Sequence, residues 1–164
     1  MSDVTLQTAL REHLHELLQE ESAHLSFEAA VEGLAPHLYG RIPQGLPYSA
    51  WQLLEHVRLA QRDILEFCTD PAYVAPEWPS EYWPDAAEPR SAEAWANSLA
   101  AYRRDREELM TLLDRTELDL LANVPQGEGQ TFLREFLLVA DHTAYHTGQM
   151  IVLRRLLDDW PPAA

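Results

Sequence analysis

The stretch DHTAYHTGQM, residues 141–150, carries two imidazoles four positions apart in a segment otherwise patterned as helix. Four residues along a helix bring the direction back to within about 40° and raise it by about 6 Å, so His142 and His146 project together. Two rings so placed can close on one cation at metal–nitrogen distances of about 2.0–2.1 Å. The chain holds seven histidines in 164 residues, so the spacing alone is weak support and the surroundings must decide. Glu135, Leu138, Val139, Gln149 and Leu153 lie within about 60° of His142 around the helix, which marks a core-facing stripe. Buried imidazoles need a partner for each nitrogen, and such a stripe offers few. One cation serves both rings and still calls for another ligand.

His56, in the middle of WQLLEHVRLAQRDIL and on the face of Leu53, Ala60, Asp63 and Phe67, is the best-placed third donor. Read by itself, it is a core histidine with a single hydrogen-bond partner. If its helix crosses beside the 142–146 pair, three neutral imidazoles hold an ion with open positions, as in reactive rather than structural sites. His13 and His15 point to different helix faces, and His24 and His37 fall in or near a linker.

Metal-bound histidines usually donate their other N–H to a carboxylate, carbonyl or water. Glu55, Asp63, Glu135 and Asp141 are the nearby carboxylates by position. Glu135 is on the right face but about two turns away, and is the candidate outer partner; Asp141 points about 100° from His142, toward solvent or a neighbouring helix. Gln149 is placed to hydrogen-bond a metal-bound water or to pack against a loop. Trp78, Tyr82 and Trp83, set among prolines, form either a pocket wall (Trp78 and Trp83 foremost) or a cover for the end of a bundle. Cys68 has neither a helix N-terminus nor an adjacent cation to lower its pKa, so it is not read as a nucleophile. The phosphate-loop, dinucleotide, zincin and nucleophile-elbow motifs do not occur.

Four segments must position these groups, and nothing reads as a strand. The first spans about Asp3 to Ser22 through Leu6, Leu10, Leu14, Leu17 and Leu18. The second starts at Ser49, which can cap while Gln52 reaches back, and continues to about Cys68 before Asp70-Pro71. The third runs from near Ser91 to about Arg115, and the fourth from Thr131 to about Asp158. Four long helices imply an all-α four-helix bundle, one domain over residues 1–164. The 71–90 connection is long enough to travel the length of the bundle, so helices 2 and 3 can run parallel with a crossover between them. On the fourth helix Leu133, Leu137, Ala140, Ala144 and Ile151 lie opposite the histidines, so that helix is central or meets a partner subunit.

Twenty-seven acidic against twelve basic residues give a net charge of −15, a field that repels polyanions and disfavours nucleic-acid binding. Arg103, Arg104 and Arg106 alternate with acids and read as a solvated helix face. No apolar run approaches the roughly 20 residues of a membrane span. The opening MSDVTLQTALREH lacks the pattern of a secretion signal, and the lone Cys68 excludes an intrachain disulfide, so a cytoplasmic location is expected.

Thr131 to Arg155, TFLREFLLVADHTAYHTGQMIVLRR, resembles the last helix of the DinB/YfiT-like superfamily of metalloenzymes. The likeness lies in Thr131, Glu135, the His142/His146 pair and Gly148-Gln149, with His56, in a helix starting at Trp51, matching the family's first metal histidine. The resemblance implies an up-down-down-up bundle and a divalent metal, nickel or zinc, on His56, His142 and His146. It also implies a homodimer. Members include transferases and isomerases acting with low-molecular-weight thiols, hydrolases, and DNA-damage-inducible stress-response proteins. It therefore implies a metal-dependent thiol transferase or hydrolase, with a non-catalytic metal-binding or structural bundle as the alternative. Tyr145 and Thr147 depart from the family, which often carries a histidine and a basic residue there; neither change touches the three ligands.

Overall fold

Side-chain oxygens set the helix starts. The computed structural model describes residues 3–19 and 23–160. Ser49 opens α3 (Ala50–Thr69) with a complete capping box: its hydroxyl accepts the Gln52 N–H at 3.1 Å and the Gln52 amide oxygen accepts the Ser49 N–H at 3.1 Å. Ser91 caps α4 (Ala92–Leu113) through Ala94, and Thr131 caps α5 (Phe132–Leu156) through Arg134. Asp70, held extended by Pro71, ends α3. These starts coincide with the expected ones. The first helix, α1, covers Asp3–Gln19; its expected end at Ser22 lies outside the described residues.

The expectation of four helices needs one correction. Residues 23–48 contain a fifth, α2 (Phe27–Val31), and a 3₁₀ turn at Pro36–Leu38. A five-residue helix has no propensity to stand alone, and this one is held by tertiary contacts. Phe27 and Ala30 are fully buried, and the buried Arg154 of α5 donates to the carbonyls of Ala30 and Glu32 at 2.9 and 2.7 Å. Glu28 takes Arg103 and Arg106 of α4 at 2.6 Å each. The basic cluster expected as a solvated face is thus partly a clamp on α2, 75 and 78 residues away in sequence. Among the described residues there is no strand, only an isolated bridge between Asn123 and Thr131.

The core divides into two clusters along the helices. One gathers Leu14 and Leu18 of α1, Ile64 and Leu65 of α3, Leu109 and Leu113 of α4, and Phe136 and Val139 of α5. The other gathers Phe27 of α2, Leu53 and Val57 of α3, Tyr102 of α4, and Met150 and Leu153 of α5. Fully burying each such side chain contributes about 1.5–3 kcal/mol. Leu17, expected on the inner stripe of α1, is 43% exposed; the stripe runs through Leu14 and Leu18, which are 2% exposed, with Leu10 packed beside them. On α5, Leu133 and Ala140 pack against the first cluster and Ile151 against the second, so its second apolar side is partly covered within the chain.

The segment between α3 and α4 lies along α3. Its carbonyls meet α3 side chains at successive levels: Tyr82 with His56, Pro84 with Gln52, and Ala87 with Ser49. Between the helices themselves, Glu55 meets Ser98, Gln61 meets the Tyr102 carbonyl, and Arg62 meets Asp105. Position numbers rise together on both helices. No helix of the described residues is long and apolar enough to cross a membrane.

Candidate metal centre

His142 and His146 sit on α5 between Val139 and Met150, where the two core clusters meet, and His56 faces them from α3. His56 and His146 are buried, at 2% and 6% exposure, and His142 is partly buried. The Nε2 atom of His142 lies 3.1 Å from that of His56 and 3.1 Å from that of His146. One ligand nitrogen from each ring falls within 4.8 Å of the others. Three sequence-predicted candidates from positions 86 residues apart are therefore brought to one point.

Two of the rings are oriented from behind. His56 Nδ1 lies 3.1 Å from the Tyr82 carbonyl oxygen, which only accepts, so this nitrogen carries the proton and Nε2 presents a lone pair. His146 Nδ1 lies 2.7 Å from the amide oxygen of Gln149, which orients it in the same way. His142 offers at most one N–H at Nε2, and it cannot serve both neighbours. Hydrogen bonding among the three rings leaves a lone pair facing a lone pair.

A cation removes that conflict, and the donor set suits one. At about 2.0–2.1 Å per bond, a tetrahedral ion separates its nitrogen ligands by about 3.3 Å, close to the observed 3.1 Å. Burial pushes the His142 pKa down to about 3, with His146 and His56 adding to the effect. Burial likewise pushes His146 down to about 4 against the opposing Gln149 bond, and lowers His56 more than the Tyr82 carbonyl raises it. All three are neutral near pH 7, as metal ligands must be. Imidazole ligands suit zinc, copper, iron and nickel alike. Neutral donors leave a divalent ion its full charge.

Aromatic rings surround the cluster. Trp83 stacks on His56 with centroids 3.9 Å apart and planes 8° apart. Trp78, 67% exposed, tilts toward His56 at 6.3 Å, and Tyr145, 64% exposed, meets His146 edge-on at 5.0 Å. Trp83 is thus a support for a ring, whereas Trp78 and Tyr145 are solvent-exposed neighbours of the cluster. Glu135 is buried and pairs with Arg134 at 2.6 Å, whereas the hydrogen bonds behind the rings of His56 and His146 go to the Tyr82 carbonyl and Gln149. Two turns separate Glu135 from His142, too far for a carboxylate to reach. Asp141 is exposed, as its direction on the helix implied. Cys68 is buried away from the cluster, and burial followed by the charge of Glu135 pushes its thiol up to about 12.

Sequence reasoning placed Tyr82 only in an aromatic cluster. Its phenol donates to Asp63 Oδ2 at 2.6 Å while its carbonyl takes His56, and the Tyr73 phenol donates to Asp63 Oδ1 at 2.7 Å. Burial, reinforced by Asp63, raises the pKa of both phenols, so both remain donors. The available signal was Asp63 on the His56 face opposite a tyrosine-bearing crossover. His15 instead pairs with Asp114 at 2.8 Å, and His24 bonds the Leu25 carbonyl, both away from the site.

Comparison with curated proteins and with solved structures finds no match to this chain. A family model described as mycothiol S-transferase matches residues 13–159, a span that includes all three histidines and both core clusters. The chain belongs to the mycothiol S-transferase family, within the DinB/YfiT-like metal-binding superfamily.

Proposed function

We propose that this chain is a divalent-metal-dependent transferase acting with a low-molecular-weight thiol, of which mycothiol is the one its family names. His56, His142 and His146 are the ligands, and zinc or nickel is the ion. The convergence of three neutral Nε2 atoms within 4.8 Å carries this reading. A bound divalent cation supplies the charge that favours the thiolate form of a thiol. The residues do the rest: Tyr82 and Gln149 aim two of the rings, Trp83 fixes the plane of His56, and Trp78 and Tyr145 flank the approach. A thiol-conjugation assay on the metal-loaded chain tests the proposal. Wild type should conjugate mycothiol to an electrophile, and His142→Ala should fall to the uncatalysed rate. Equal rates in both would leave a non-catalytic metal-binding bundle.

The architecture that supports this reading is an up-down-down-up bundle in one domain, with the 70–91 segment crossing back along α3. Its support is the common sense in which residues 55, 61 and 62 meet 98, 102 and 105. A homodimer belongs to the same proposal. Leu137, Val152 and Leu156 stay exposed on α5, apolar surface of the sort a second copy covers. Light scattering at tens of micromolar should give twice the chain mass, and a monomer would exclude the dimer.

A further inference from the structure

Asp63 lies seven residues beyond His56 on α3, about 10 Å along the axis and on the same side of the helix, too far to touch the ring. It acts at a distance through the crossover. Its two carboxylate oxygens are divided between two phenols of the 70–91 segment, Tyr73 at 2.7 Å and Tyr82 at 2.6 Å. Hydrogen bonds to an ionised carboxylate are roughly twice as strong as neutral ones. The other ties that join this part of the strap to α3, such as Gln52 to the Pro84 carbonyl at 3.1 Å, are between neutral groups.

Tyr82 and Trp83 are the two residues of the strap that hold His56. The carbonyl of the first selects the ring's tautomer at 3.1 Å, and the indole of the second sets its plane at 3.9 Å. A backbone carbonyl in a long connection is only as well placed as the residues that anchor it. We infer that Asp63 is a positioning residue for the metal centre: by clamping the Tyr73 and Tyr82 phenols it fixes the Tyr82 carbonyl and the Trp83 indole, and so aims His56 Nε2 at the ion. This rests on the metal reading proposed above, but one of its consequences is visible in the metal-free chain.

Tyr82→Phe removes the phenol oxygen and leaves the carbonyl, the indole and all three histidines in the chain. Two measurements on the full-length protein decide the matter. Nitrogen-15 NMR of the metal-free protein should show His56 protonated on Nδ1 in wild type and a mixture of tautomers in Tyr82→Phe. Zinc titration against a chelating dye should show affinity falling about tenfold, within the range of about 10- to 100-fold typical of lost outer partners. Asp63→Asn should do the same, and the double variant should lose little more than either alone, because the two act through one bond. Should Tyr82→Phe fail to fold, Asp63→Asn with the same two readouts decides. An unchanged tautomer overturns the inference, whether or not zinc affinity has dropped, and so does zinc affinity within twofold of wild type. If wild type itself binds neither zinc nor nickel, the proposed function fails, and the tautomer comparison alone still accepts or rejects the role of Asp63.

Discussion

His146→Ala is expected to lower zinc or nickel affinity by more than about a hundredfold, beyond the effect of losing an outer partner. The ring is buried at 6% exposure and supplies one of three nitrogens; its removal leaves two donors, and a cation held by two neutral imidazoles is weakly bound. Alanine also deletes the acceptor that faces His142 Nε2 at 3.1 Å and strands the Gln149 amide oxygen, now 2.7 Å from His146 Nδ1. Competition with a chelating dye, on protein purified without a histidine tag, measures the change. Stoichiometric metal held at wild-type affinity by the variant would exclude His146 as a ligand and reduce the site to two histidines.

The metal-free protein should lose stability steeply in acid. An unfolded histidine takes a proton near pH 6.5, whereas burial pushes His142 down to about 3 and His146 down to about 4. Between those limits the unfolded chain binds protons that the folded chain refuses, so stability is complete above about pH 6.5 and falls as the pH drops toward 4. Each withheld proton costs about 1.4 kcal/mol per pH unit, and two give up to about 2.8 per unit. Glu55 acts in the same direction: burial raises its pKa, but Arg58 and Ser98 outweigh burial and hold it below the usual carboxylate range. That contribution is lost as pH falls through the folded value. Urea unfolding with chelator present, at pH 7 and pH 4.5, should show a midpoint several tenths molar or more lower in acid. His142→Leu should flatten the dependence. Equal midpoints in wild type at both pH values would show that the folded chain accepts these protons freely.

The parts of this protein legible in its residues are those governed by interactions three or four positions long. Ser49 with Gln52, Ser91, and Thr131 mark helix starts because a capping oxygen bonds a backbone N–H within its own first turn. The His142/His146 pair is legible for the same reason, since one helical turn places both rings together. His56 could be nominated from its face of α3, but only packing brings its Nε2 within 3.1 Å of His142. Family membership adds a chemical expectation, a thiol, that no local pattern contains.

What escaped is long-range or too short to carry a period. α2 has five residues and exists because Phe27 and Ala30 are buried and Arg154, Arg103 and Arg106 grip it from α5 and α4. Glu135 sits on the expected face yet serves Arg134, because height along a helix decides reach as much as direction does. The orientation of His56 depends on a carbonyl and an indole 26 and 27 positions further along the chain. Residue types and spacing determined which long helices form and which rings could bind a cation, since both follow from the geometry of a single helical turn. Which groups aim those rings was decided by tertiary structure alone, because a backbone carbonyl is identical in every residue and only the path of the chain says where it points.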